Sequence, residues 1–215
     1  MPTIKDYVTL GQSLQDFAHR SDIASYQDYF IQAGIDDIQN DILVENYGNG
    51  IKFQEKAFTA TPISASGTLA VPADFLSPKD FLINDGGGDL HPLIFKASTW
   101  LYNTYPTRLP TGLPAYIARD GAAFVFGPYP DSAYSVQGTY YAQAPMLSVS
   151  NPTNWMITSA PVLLQAACLT WVSKFLKDAD MLSMWQGVYT QKLQALIEAD
   201  KAERWAASTM QVEIS

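Results

Sequence analysis

Apolar residues recur at helical spacing at both ends of this chain and lose that period in between, a change that restricts the fold more than any other feature. Ile4, Tyr7, Val8, Gly11, Leu14, Phe17 and Ala18 share one face of a helix predicted over residues 4–18, and Thr3 followed by Asp6 has capping-box spacing. After a break at His19 to Asp22, Ile31, Ile35, Ile38 and Ile42 step by four, three and four, and Ser25 with Asp28 repeats the capping spacing. A second helix is expected from about 23 to 45. Near the other end, Ser159-Ala160-Pro161 offers a cap and a first-turn proline, and the pairs Leu163-Leu164, Ala167-Cys168, Trp171-Val172 and Phe175-Leu176 recur every four residues. Asp178 to Asp180 interrupts this pattern. Met181, Trp185, Val188, Tyr189, Leu193 and Leu196 then mark an amphipathic helix to about Ala207.

From Ile51 to Tyr141 the residues alternate or run β-branched, as in Gly67-Thr68-Leu69-Ala70-Val71, and Pro, Gly, Asn and Asp punctuate the stretch. A mostly antiparallel β region follows, with a short helix within 97–105, where Trp100, Leu101 and Thr104 fall at helical spacing. Val125-Phe126 and Tyr134 to Tyr141 flank the turn-formers Gly127, Pro128, Pro130 and Asp131, so these two segments are expected to pair as an antiparallel hairpin. The predicted class is α+β: a helical bundle from the N- and C-terminal helices (1–47 and 158–208), a β insertion (48–157) projecting from it, and an extended tail (209–215).

Composition narrows the function. Thirteen Lys plus Arg against 21 Asp plus Glu give a formal charge of -8, with no cationic stripe to grip a phosphate backbone. At 47% hydrophobic and 16% charged, the chain is ordinary globular protein. The N-terminus lacks a secretory pattern, and no apolar run approaches the roughly 20 residues of a membrane helix, so a soluble protein made in the cytoplasm is expected. Cys168 is the one cysteine and reads as a small buried residue of an apolar helix.

A set of short motifs runs in a familiar order: Gly112-Leu113-Pro114-Ala115-Tyr116, Pro128-Tyr129-Pro130, Tyr140-Tyr141 and Pro145-Met146-Leu147-Ser148. They are preceded by His19-Arg20-Ser21-Asp22-Ile23, Phe30-Ile31 and Val71-Pro72-Ala73-Asp74-Phe75-Leu76. In this order, from residue 3 to about 205, the chain resembles the head-to-tail adaptor (connector) proteins of tailed phages. Val71 departs from the family's commoner Leu, and Asn84 to Gly88 is an insert. The resemblance implies one adaptor chain over 1–215, in a homo-oligomeric ring of twelve copies in the virion neck. It implies a portal protein on one side and tail or nozzle proteins on the other. DNA would pass through without specific binding, and no cofactor, metal or membrane would be needed.

Catalytic readings find little support. His19 and His91 have no partner at metal-ligand spacing, and no serine sits in a nucleophile elbow. Asn84-Asp85-Gly86-Gly87-Gly88-Asp89 has the glycines and carboxylates to hold calcium or phosphate but the spacing of neither loop, and reads as a surface loop at a ring interface. Asp36, Asp37 and Asp41 are the carboxylates a glycosidase would need. Neighbours on a helix diverge by about 100°, so they read as a solvated face opposite the isoleucines. Tyr129, Tyr134, Tyr140 and Tyr141 suit a sugar-binding surface or a core with an interface, and the latter is favoured. A carbohydrate-binding or cell-wall-degrading tail protein and a monomeric helical scaffold are the alternatives. Met210, Val212 and Ile214 alternate with polar residues after the last helix; the segment is either a frayed terminus or, with Trp205, the expected partner-binding residues, docking on portal or a neighbouring subunit and ordered only there.

Overall fold

Asp6, rather than Thr3, caps the first helix in the computed structural model of the chain, which describes residues 3–107 and 109–207. In chain order the elements are α1 (Tyr7–Ala18), α2 (Gln27–Glu45), β1 (Glu55–Pro62), β2 (Thr68–Ala70), β3 (Phe75–Asn84), β4 (Leu90–Pro92), β5 (Ile94–Phe95) and α3 (Ser98–Thr104). There follow β6 (Tyr116–Asp120), β7 (Ala123–Gly127), β8 (Ser135–Ala142), α4 (Trp155–Ser159), α5 (Pro161–Leu176) and α6 (Ala179–Ala207). The class is α+β. The chain divides into a helical unit, Met1–Phe53 with Ala144–Ser215, and a β unit, Gln54–Gln143.

The helix starts differ from expectation wherever two capping residues compete. The Asp6 carboxylate accepts the Thr9 N–H at 2.8 Å while Thr9 Oγ1 accepts the Asp6 N–H at 3.0 Å, a closed capping box one turn later than Thr3 would place it. Residues Asp22–Tyr26 form a 3-10 turn before α2, and Ser25 donates to the Asp22 carbonyl instead of capping. At the C-terminal end Asn154 caps the short helix α4 by accepting from Met156 and Ile157. Ser159 therefore closes α4 instead of starting α5, which begins at Pro161 without a side-chain cap. Proline suits that place because a first-turn N–H has no acceptor anyway. Lys177 ends α5 in the left-handed region (φ 57), and Asp178 caps α6 through the Met181 N–H.

In the helical unit α5 is buried almost all round, from Leu163 through Thr170, and α1, α2 and α6 each pack against it. Ile31, Ile35, Ile38 and Ile42 are all at most 1% exposed, as their spacing requires. The α2–α5 approach is closest at Gly34, where an added Cβ would lie 2.9 Å from the Cys168 Sγ and 3.0 Å from its backbone N. Burial pushes the Cys168 thiol well up, so it is a packing residue and not a nucleophile. Two polar side chains pin the segments at the edge of this unit. Gln39 Oε1 accepts the Ala144 N–H at 2.7 Å, and buried Asp200 accepts the Lys52 N–H at 2.7 Å while pairing with Arg204 at 2.8 Å.

The β unit holds two sheets, ordered β1–β8–β3–β4 and β2–β7–β6–β5. The expected hairpin does not form. β7 pairs with β2 and β6 in one sheet, whereas β8 lies between β1 and β3 in the other, so residues 128–134 cross between sheets. Prolines 128 and 130 have no N–H to give to a ladder, which favours such a crossing over tight pairing. Gly138 of β8 has φ 158, and a Cβ there would collide with the Asp80 carbonyl, beside the irregular register of β3 between Pro78 and Asp80. Rings from both sheets form the core, with Phe81 and Phe124 5.6 Å apart and Phe75 against Phe124 at 5.3 Å. Asp74, the acid of the Val71-Pro72-Ala73-Asp74 motif, accepts from Tyr140 at 2.8 Å and from Lys56 at 2.6 Å. Burial pushes its carboxyl up, but those two hydrogen bonds outweigh burial and hold it below the usual range.

Gly34→Ala should lower stability by about 1–3 kcal/mol, because overpacking at the α2–α5 crossing outweighs the gain of about 1 kcal/mol in helix propensity. Urea midpoints will show it, and adding Cys168→Ala should recover part of the loss.

Candidate functional site

Aromatic side chains from two helices meet on the surface of the helical unit. Tyr26 closes the 3-10 turn and Tyr29 and Phe30 lie in the first turn of α2, while Trp171, Lys174 and Phe175 lie in the last two turns of α5. Phe30 is 1% exposed and serves as the floor; Phe175 stands edge-on to it at 5.6 Å, and Tyr26 lies 5.0 Å from Phe175. Tyr29 meets Trp171 edge-on at 6.0 Å, and the Lys174 ammonium sits 4.1 Å above the indole. Tyr26, Tyr29 and Phe175 remain 49%, 58% and 47% exposed. Rigid rings with a polar tip, beside one cation, are the composition of protein-interface hot spots, which bury large area at little cost in side-chain entropy.

A concave surface lies between α1 and the start of α5. Ile4, Phe17, Pro161 and Val162 line a groove of about 560 Å³, and Gln165 donates to Ser13 in its wall. His19, in the left-handed region at the end of α1, stands at its rim.

A scan of protein-family models matches residues 6–212 to the SU10 adaptor protein family. The chain belongs to this family of phage head-to-tail adaptors. No curated protein matches it. The adaptor is thus a structural phage protein of a family not known for enzymes, and among the described residues no helix is long and apolar enough to cross a membrane.

The acids expected on a solvated face of α2 behave otherwise. Asp36 is exposed, but Asp37 accepts the Trp171 indole N–H at 2.7 Å and Asp41 accepts the Tyr189 hydroxyl at 2.5 Å. Both carboxylates are cross-helix struts and do not face each other across a cleft. Tyr140 and Tyr141 of the adaptor are 3% and 1% exposed, so the tyrosine pair belongs to the interior. Tyr134 is half-buried and donates to Asp131 at 2.6 Å, and the half-buried Tyr129 ring covers Gly67. The Asn84 to Asp89 segment is the tip of the β3–β4 hairpin. Asp85 accepts the N–H groups of Gly87 and Asp89, and chiefly the Gly87 bond holds its carboxyl below the ordinary value. Among the described residues no group of three or more His, Cys, Asp or Glu is arranged to hold a metal.

Of the expected partner-binding residues, Met210, Val212 and Ile214 lie outside the described residues, and Trp205 is described only as backbone of α6. The exposed aromatic surface is what sequence reasoning missed, having counted Trp171 and Phe175 as buried face. The available signal was their i, i+4 spacing alongside Tyr26 and Tyr29 at i, i+3, aromatic where the rest of both helices is aliphatic.

Burial first, and then the hydrogen bond to Asp41, raise the Tyr189 phenol above its ordinary value of 10.0. Its contribution to stability is complete below pH 10 and is lost as pH rises above that value, at up to about 1.4 kcal/mol per pH unit. Melting temperatures between pH 9 and 11 should therefore fall less steeply for Tyr189→Phe than for the native chain. At pH 7 that variant should be less stable by about 1–3 kcal/mol, because Asp41 loses its donor.

Proposed function

We propose that the adaptor assembles as a ring of twelve copies that joins portal to tail and continues the DNA channel through the virion neck. The observation that carries this reading is the family match over residues 6–212. Exposed aromatics on the helical unit and the groove beside α1 supply surfaces that need covering, and a net charge of -8 repels passing DNA instead of holding it. Each copy would be made in the host cytoplasm and need no cofactor.

The proposed division of labour assigns assembly to the helical parts (1–47 and 158–208) and outward contacts to the β part (48–157). The tail (209–215) attaches to portal through Met210, Val212 and Ile214, with Trp205 at its root. Tail or nozzle proteins bind the far side. Attachment of the whole ring is strong because one modest contact is repeated around a closed symmetry, each engagement raising the effective concentration for the next.

Deleting residues 209–215 should leave the melting temperature within a degree or so and weaken binding to the cognate portal by about tenfold or more, which is about 1.4 kcal/mol. Unchanged affinity of the truncated chain would remove the tail from the portal contact. Failure of the full chain to bind portal would remove the neck assignment.

A further inference from the structure

The two ends of α2 carry surfaces of opposite kind. Its first turn contributes Tyr29 and Phe30, next to Tyr26 of the preceding 3-10 turn, to the aromatic surface beside Lys174, and its last turn carries Val44 and Glu45 and runs into Tyr47. Tyr47 is 94% exposed and Val44 76% exposed, the most exposed large apolar side chains of the helical unit apart from Val149 among the described residues. Tyr47 also occupies the left-handed region (φ 53), where a side chain with a Cβ is disfavoured and glycine or asparagine is the usual helix terminator. Gly48 follows it and donates to the Leu43 carbonyl at 2.7 Å, so the terminating hydrogen bond is made while a tyrosine ring is held out in solvent. The same conformation ends α1 at His19 and α5 at Lys177, but at Tyr47 it leaves a large aromatic ring in solvent beside exposed Val44, an apolar knob suited to a contact made elsewhere.

Charge indicates what it contacts. The knob is apolar, aromatic and flanked by the exposed carboxylate of Glu45. The aromatic surface lies over buried Phe30, is half-exposed at Tyr26, Tyr29 and Phe175, and carries the exposed Lys174 on the Trp171 ring. A helix of 19 residues separates them by about 28 Å. One copy cannot bring its own two surfaces together, whereas two copies related by a rotation can, and each added copy leaves one knob and one receiving surface free.

We propose that Tyr47 and Val44 of one copy dock on the Tyr26–Tyr29–Phe175 surface of a second copy, with Glu45 against Lys174, as the repeating head-to-tail contact between subunits. The inference rests on the ring proposed above and names the surfaces that build it. Such a heterologous contact closes into a ring when its rotation divides a full turn.

Cys168 is fully buried, so engineered cysteines report the contact cleanly. Tyr47→Cys and Phe175→Cys chains, oxidised separately with copper phenanthroline, should stay monomeric; mixed, they should give a covalent dimer, and the doubly substituted chain should give a ladder of multimers. Tyr47→Gly eases the backbone and keeps the fold, and should weaken self-association by about tenfold or more in mass photometry. Lys174→Glu should do the same, and Glu45→Lys in the same chain should restore assembly. Self-dimerising single-cysteine chains would overturn the proposal in favour of a two-fold contact. Native assembly that neither Tyr47→Gly nor Lys174→Glu weakens would overturn it and leave the ring standing. A native chain that stays monomeric both alone and with portal would overturn the ring, and this contact with it.

Discussion

Burial of α5 on every side is the constraint from which the helical unit follows. A helix apolar all round cannot lie on a surface, so it must be enclosed, and α1, α2 and α6 are the elements that enclose it. Enclosure in turn demands that each polar group α5 carries find a partner inside. Gln165 donates to Ser13, Thr170 to the Ala167 carbonyl and Ser173 to the Leu169 carbonyl, so its buried polar side chains stay satisfied without water. It also demands close approach, which Gly34 permits against Cys168. The enclosure opens at both ends of α5: Val162 faces the groove beside α1 at its start, and near Lys177 its side chains turn aromatic and meet solvent.

Four of the 21 acidic residues act as fasteners. Asp37 holds Trp171, Asp41 holds Tyr189, Asp74 holds Tyr140 and Lys56, and Asp200 holds the backbone of Lys52. Each is a charge-assisted hydrogen bond, roughly twice as strong as a neutral one. A carboxylate so engaged is a poor general base, so Asp37 and Asp41, two of the three α2 acids weighed for a hydrolase, have a structural explanation instead.

Helices were legible because burial on one face leaves a period in the sequence, and the isoleucines of α2 kept theirs. Their starts were less so, since Thr3, Asp6, Ser25 and Ser159 are all competent caps and tertiary packing decided among them. Strand partners were not legible at all at β8: Tyr134 to Tyr141 lies next in sequence to β7, yet β1 and β3 take both its edges, and such long-range pairing leaves no local mark. The same holds for the struts, whose partners lie 134 and 148 residues apart. The adaptor family was legible from an ordered run of turn and tyrosine motifs, and two of those motif residues, Asp74 and Tyr140, prove to bond to each other.

The pairing of β1 with β8 places Glu55 opposite Tyr141, so the chain enters and leaves the β unit on neighbouring strands about 5 Å apart. An insertion with adjacent ends is a cassette: the two points where the chain leaves and rejoins the helical unit are a tight turn apart, so the helical unit's own chain path needs no long bridge across the β unit to be continuous.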